Sequence, residues 1–174
     1  PRVAQLLKMW LITGKRHEQY KRMCAARAAR AAAWLARAAD QPPRRRRYIE
    51  SIRGLQKRLL VEEQGLTYVA ELKSGRMLRK MDHLVCFLPG TLALGAQNMP
   101  EFHDEHMALA SKLVETCYQM YARQRTGLAP EFVKFQHGMQ IGAAHNLLRP
   151  ETLESIFYMW RFTKDPKYRE WGWR

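Results

Sequence analysis

The chain has 174 residues, 47% of them hydrophobic, and carries 30 Lys and Arg against 16 Asp and Glu, a formal charge of +14. That length supports one domain with a real core, and no run approaches the ~18 consecutive apolar residues of a membrane span. The basic balance invites a nucleic-acid reading, but half of the charge sits in residues 22–47, which hold eight Arg, one Asp and ten Ala.

Leu6, Leu7, Trp10 and Leu11 recur at helical spacing and predict a helix over 3–13, stopped by Gly14. A second helix spans about 16–38. Its charges do not segregate: Arg27, Arg30 and Trp34 share one side, whereas a nucleic-acid or membrane helix keeps its cations on one face. The Ala/Arg-rich segment at 22–47 therefore reads first as an insertion or misread coding segment, then as a solvated loop, and last as a polyanion site. Gln41-Pro42-Pro43 and the four Arg after them read as a break, followed by a helix over 46–60.

Leu66 to Leu72 reads as a strand, Lys73-Ser74-Gly75-Arg76 as a turn, and a second strand runs to His83. Helices follow at 89–97 and 104–125, the latter with a core stripe of Met107, Ala110, Val114, Cys117 and Tyr121. Pro130 begins a short helical turn, 134–144 read as loop, and helices come next at 150–163 and 166–174, the second opened by Asp165-Pro166. The fold class is all-α with a short β-hairpin. The first stripe has no cap ahead of it and the last helix has no stop signal, so the chain reads as a piece of a longer domain. No signal peptide is visible.

Residues 145–161 set Arg149, Glu151 and Glu154 around the start of a helix. Pro150 suits its first position, and Leu153, Ile156, Phe157 and Trp160 make a buried stripe. Glu151 and Glu154 lie three apart on one side of the first turns, where the helix dipole favours an ionised carboxylate. Such a group acts as a base, a metal ligand or an acceptor for a sugar hydroxyl, and makes a poor general acid. On the residues alone, Glu151 reads more simply as a first-turn carboxylate worth roughly 0.3–1 kcal/mol to the helix. Glu154 reads equally as a partner of Tyr158 or Arg161, and Asp82-His83 as a solvent-facing pair.

His103, His106, His137 and His145 lack the companions of a zinc site, and there is no EF-hand loop, phosphate loop or serine nucleophile elbow. Three cysteines leave room for one bridge, and their spacing does not show which two meet.

Two long blocks, HNLLRPETLESIFYMWRFTKDPKYREWGW (145–173) and KMDHLVCFLPGTLALGA (80–96), resemble the class I α-1,2-mannosidases, glycoside hydrolase family 47. GLAPE (127–131) fits the spacing between them, while 6–15 and 48–60 match more loosely and 22–47 lie outside the likeness. The resemblance implies a partial (α/α)7 barrel of antiparallel helix pairs, a bound Ca²⁺, and inverting hydrolysis of α-1,2-linked mannose from high-mannose N-glycans. It implies the lumen of the endoplasmic reticulum or Golgi, no nucleic-acid partner, and a membrane anchor only through a segment absent from this chain.

Carried over residue by residue, Glu151 matches the general base, and Arg149 and His83 match sugar-contacting positions. Glu131 matches another acidic residue of the pocket, and Glu154 a carboxylate near calcium-bound waters. Cys86 and Cys117 match the family's disulfide, which leaves Cys24 over. The resemblance puts the general acid upstream of this chain, another active-site Asp just before Pro1, and the calcium-binding threonine beyond Arg174. Val3 and Ala4 replace the expected tyrosine and glutamate. Residues 1–174 thus read as a partial catalytic domain, inactive by itself. Two other functions stay open: a non-catalytic glycan-binding or partner-binding remnant of the family, and an arginine-driven nucleic-acid binder.

Overall fold

The computed structural model describes residues 42–173. The helices expected at 3–13 and 16–38, Cys24, and most of the Ala/Arg-rich segment lie outside the described residues. The chain divides into two units between Ile52 and Arg53. Helix α1 (Pro42–Arg58) starts on proline, whose missing N–H costs nothing at a helix start. The Pro-Arg run therefore opens a helix where the sequence reading placed a break. Arg46 Nε donates to Glu50 Oε1 at 2.8 Å one turn on.

The second unit is mostly helical, with three small antiparallel sheets in place of the single expected hairpin. Strands β1 (Leu60–Glu63) and β2 (Leu66–Val69) pair with Leu60 opposite Val69 and Glu63 opposite Leu66. Strands β3 (Glu71–Lys73) and β4 (Arg76–Leu78) form the second hairpin. Both hairpins turn on two residues of positive φ, Gln64-Gly65 (53° and 76°) and Ser74-Gly75 (50° and 76°), the geometry that matches strand twist. The expected strand over 66–72 is thus two strands of different hairpins. They part at Ala70, whose amide donates to the Leu59 carbonyl at 2.8 Å.

Strand β5 (Lys80–Asp82) leads into a 3-10 turn (His83–Phe87) and then helix α2 (Leu88–Asn98). Helix α3 (His103–Ala122) buries Leu109, Ala110, Leu113, Val114, Cys117 and Met120, while Met107 and Tyr121 of the expected stripe are half-buried. Strands β6 (Phe132–Phe135) and β7 (Met139–Ala143) then join β5 in the order β5-β6-β7. The helical turn expected at Pro130 and the loop expected over 134–144 are corrected accordingly. Val133 and Phe135 are buried while Lys134 is exposed, the period-two pattern of a strand, but it spans too few residues to be decisive in sequence.

Helix α4 (Glu151–Thr163) and helix α5 (Pro166–Trp173) end the described residues. The expected buried stripe of α4 holds at Ile156, with Trp160 half-buried, and is corrected at Leu153 and Phe157, which are 52% and 46% exposed. The buried face is Thr152, Ser155, Ile156 and Met159. It packs on α2 at Gly90, where a Cβ would meet Ser155 Oγ and Tyr158 Cδ2 at 3.1 Å. Small residues let the helices approach, and Ser155 Oγ accepts from the Gly90 amide at 2.9 Å while donating to the Cys86 carbonyl at 2.5 Å.

The core beneath the sheets stacks Tyr68 on Phe135, centroids 3.7 Å apart, with Met81, Met120, Val133 and the Cys86–Cys117 disulfide around them. Each such buried side chain is worth roughly 1.5–3 kcal/mol relative to exposure. No helix among the described residues is long and apolar enough to cross a membrane.

Candidate active site

The pairing of β5 with β6 sets Asp82 opposite Phe132. Just beyond it, the His83 amide donates to the Glu131 carbonyl at 2.9 Å. The Glu131 amide donates in turn to the carbonyls of Ala143 (3.0 Å) and His145 (3.1 Å). Asn146 Nδ2 donates to the Ala129 carbonyl at 2.8 Å, which holds the approach to α4. Three blocks far apart in sequence are thereby tied through backbone groups.

Arg149 closes on Glu131 with two N–H donors: Nε reaches Oε2 at 3.0 Å, and Nη2 reaches Oε1. The side chains are 24% and 19% exposed, and the guanidinium holds the Glu131 carboxyl below its ordinary value. Forked, charge-assisted pairs of this kind fix direction as well as charge. Lys80 holds Asp82 at 2.9 Å on the adjoining strand.

His83 is 2% exposed. Its Nε2 lies 2.6 Å from the Tyr121 hydroxyl and 3.4 Å from Thr152 Oγ1, and the Tyr121 ring meets it edge-on at 5.5 Å. Burial pushes the His83 imidazole below its ordinary 6.5; the charges of Glu151 and Glu131 oppose this, and Arg149 adds to it. Burial pushes the Tyr121 phenol up, while a hydrogen bond with Thr152 acts the other way. Both groups are held neutral.

Glu151 is the first residue of α4, where a negative charge is stabilised by the helix dipole. Its Oε2 is buried without a hydrogen-bond partner, as is His83 Nδ1; among the described residues these are the two side-chain atoms so placed. Buried polar atoms cost free energy unless something satisfies them, and a hydroxyl group serves both a donor and an acceptor.

Glu154 is exposed on the next turn. Burial raises the Tyr158 phenol and the Glu154 charge adds to the effect, which places Glu154 beside Tyr158. Calcium takes about six to eight oxygen ligands. Among the described residues no group of three or more His, Cys, Asp or Glu side chains comes together to hold a metal. These residues do not fit a complete calcium site.

The structure thus brings together Arg149, Glu131, His83 and Glu151, and leaves Glu154 outside that cluster. Cys86 and Cys117 are bonded, with Cα atoms 5.8 Å apart. Sequence reasoning missed Tyr121 and Thr152. Tyr121 looked like part of a core stripe, and only its polar tip hinted at a buried partner.

Residues 4–174 match the family described as glycosyl hydrolase family 47. A human protein named endoplasmic reticulum mannosyl-oligosaccharide 1,2-alpha-mannosidase is 51% identical over an alignment of 138 positions that covers 72% of this chain and 19% of that protein. Human mannosyl-oligosaccharide 1,2-alpha-mannosidase IC is 37% identical over an alignment of 175 positions that covers 97% of this chain and 24% of that protein. The chain thus spans about a fifth to a quarter of the length of these relatives. In fold it is similar to an alpha-1,2-mannosidase from Trichoderma reesei, with a TM-score of 0.62, 20% identity, and coverage of 98% of this chain and 35% of that one.

Proposed function

The chain belongs to glycosyl hydrolase family 47, and from that premise we propose that it is part of the catalytic domain of a 1,2-α-mannosidase. The domain removes α-1,2-linked mannose from high-mannose N-glycans with inversion, in the lumen of the endoplasmic reticulum or Golgi. The helices here are then one part of an (α/α)7 barrel, and a bound Ca²⁺ would meet Glu154 only through water.

One observation carries the reading: the Arg149–Glu131 fork stands just before a helix whose first residue, Glu151, keeps Oε2 buried and without a protein partner. An inverting glycosidase needs a carboxylate that takes a proton from water and a second carboxyl group about 6.5–9.5 Å away that protonates the leaving oxygen. Glu151 is the base. Arg149 spends two N–H donors on Glu131 and directs the others to sugar hydroxyls, while His83, held neutral, offers a hydrogen bond without adding charge. Mannose release from a high-mannose N-glycan by the full-length protein, followed by NMR of the freed anomer, tests this. Inversion is expected; retention contradicts it.

A further inference from the structure

We propose that Tyr121 is a positioning residue that fixes the His83 proton on Nδ1, making that nitrogen the donor to a sugar hydroxyl that donates in turn to Glu151 Oε2. The sugar half of this inference rests on the function proposed above; the proton placement does not.

A neutral imidazole has one N–H, and the partner of one nitrogen decides where it sits. At 2.6 Å the Tyr121 hydroxyl is by far the closer partner of Nε2; Thr152 at 3.4 Å is a marginal one. The phenol O–H is a donor and an unprotonated imidazole nitrogen an acceptor, so at this distance Tyr121 donates to Nε2. The proton is then on Nδ1, the buried atom left without a partner.

The other polarity makes Nδ1 an acceptor. Glu151, which precedes the Thr152 that lies 3.4 Å from the His83 ring, already supplies a buried, unpartnered acceptor in Oε2. A sugar hydroxyl carries one hydrogen and cannot satisfy two acceptors. With Nδ1–H it satisfies both atoms, accepting from His83 and donating to Glu151. Tyr121 is well held for the task. It sits one turn after Cys117, and Cys117 is bonded to Cys86 in the same turn that carries His83.

Long-range ¹H–¹⁵N spectra of the ¹⁵N-histidine-labelled chain read the tautomer without turnover. Wild type is expected to show His83 protonated on Nδ1. Tyr121→Phe keeps the ring and its edge contact while removing the O–H, and the Nε2-protonated form should then become a major species. Thr152→Val should leave the proton on Nδ1. In the full-length protein, Tyr121→Phe should raise KM about 3- to 10-fold, the loss of one buried hydrogen bond, with kcat changed less than about twofold, as for an interaction made equally in ground and transition states. A wild-type proton on Nε2, an unchanged tautomer in Tyr121→Phe, or an unchanged KM overturns the proposal. The expected tautomer shifts with no mannose release by the wild-type full-length protein would refute the proposed function and leave the placement of the His83 proton standing.

Discussion

Arg149 grips the Glu131 side chain with two N–H groups, and the Glu131 backbone carbonyl in turn holds the amide of His83. One carboxylate residue therefore orients an arginine through its side chain and a histidine through its main chain.

Lysine cannot reproduce that fork, because its ammonium is a point charge on a flexible stem. Arg149→Lys should raise KM about tenfold or more in the full-length protein, and Glu131→Gln should do the same to a smaller extent, since the amide retains one acceptor. Steady-state kinetics check this; unchanged KM values in both would exclude Arg149 as a sugar contact.

The 174-residue chain alone, supplied with Ca²⁺, should release no mannose. Inversion needs an acid as well as a base. Glu131 is held as a carboxylate by Arg149, Asp82 pairs with Lys80, and Glu154 is exposed. Release lost on Glu151→Gln would show that an acid is present after all.

Stability should fall on acidification below about pH 6.5. Burial lowers the folded pKa of His83 and of His106, so below the unfolded value of 6.5 the unfolded chain binds more protons than the folded one. Their contribution is intact above 6.5 and is lost as pH falls through the folded values. Glu131, lowered by Arg149, adds a loss that begins only below its ordinary 4.5. Denaturant unfolding across about pH 7.5 to 5 should show a positive slope that His83→Gln reduces, by at most about 1.4 kcal/mol per pH unit. An identical slope in the variant would rule out His83 as a source.

Reducing the Cys86–Cys117 bond, which closes a separation of 31 residues, should cost about 3–4 kcal/mol on the loop-entropy account. Ser155→Ala leaves the Gly90 amide and Cys86 carbonyl without their buried partner, a loss of about 1–3 kcal/mol. Urea midpoints with and without reductant measure both. A Ser155→Ala variant as stable as wild type would mean that its two hydrogen bonds are replaced.

The long helices were legible because α3 and α4 span several turns, and the Lys73–Arg76 turn because glycine sets its backbone. The face of α4 was not. Apolar period pointed to Leu153 and Phe157, but the packed side is Thr152 and Ser155, chosen for close approach and hydrogen bonding rather than apolar area. Strands β6 and β7 were missed because their pairing is set by a distant partner, β5, and no local signal reports that. Of the site, Arg149, Glu131, His83 and Glu151 were named from a family resemblance and meet in space. The role of Tyr121 needed the 2.6 Å contact with His83 to become visible.

The central claim is that Glu151 takes the proton from the attacking water. The most direct test is the rate of mannose release from a high-mannose N-glycan by the full-length protein and by its Glu151→Gln variant, with folding verified by thermal unfolding. Loss of a base predicts a fall in kcat of about 10² to 10⁴, with substrate binding largely kept. A Glu151→Gln variant that turns over within about tenfold of wild type would contradict the account and move the base to another residue.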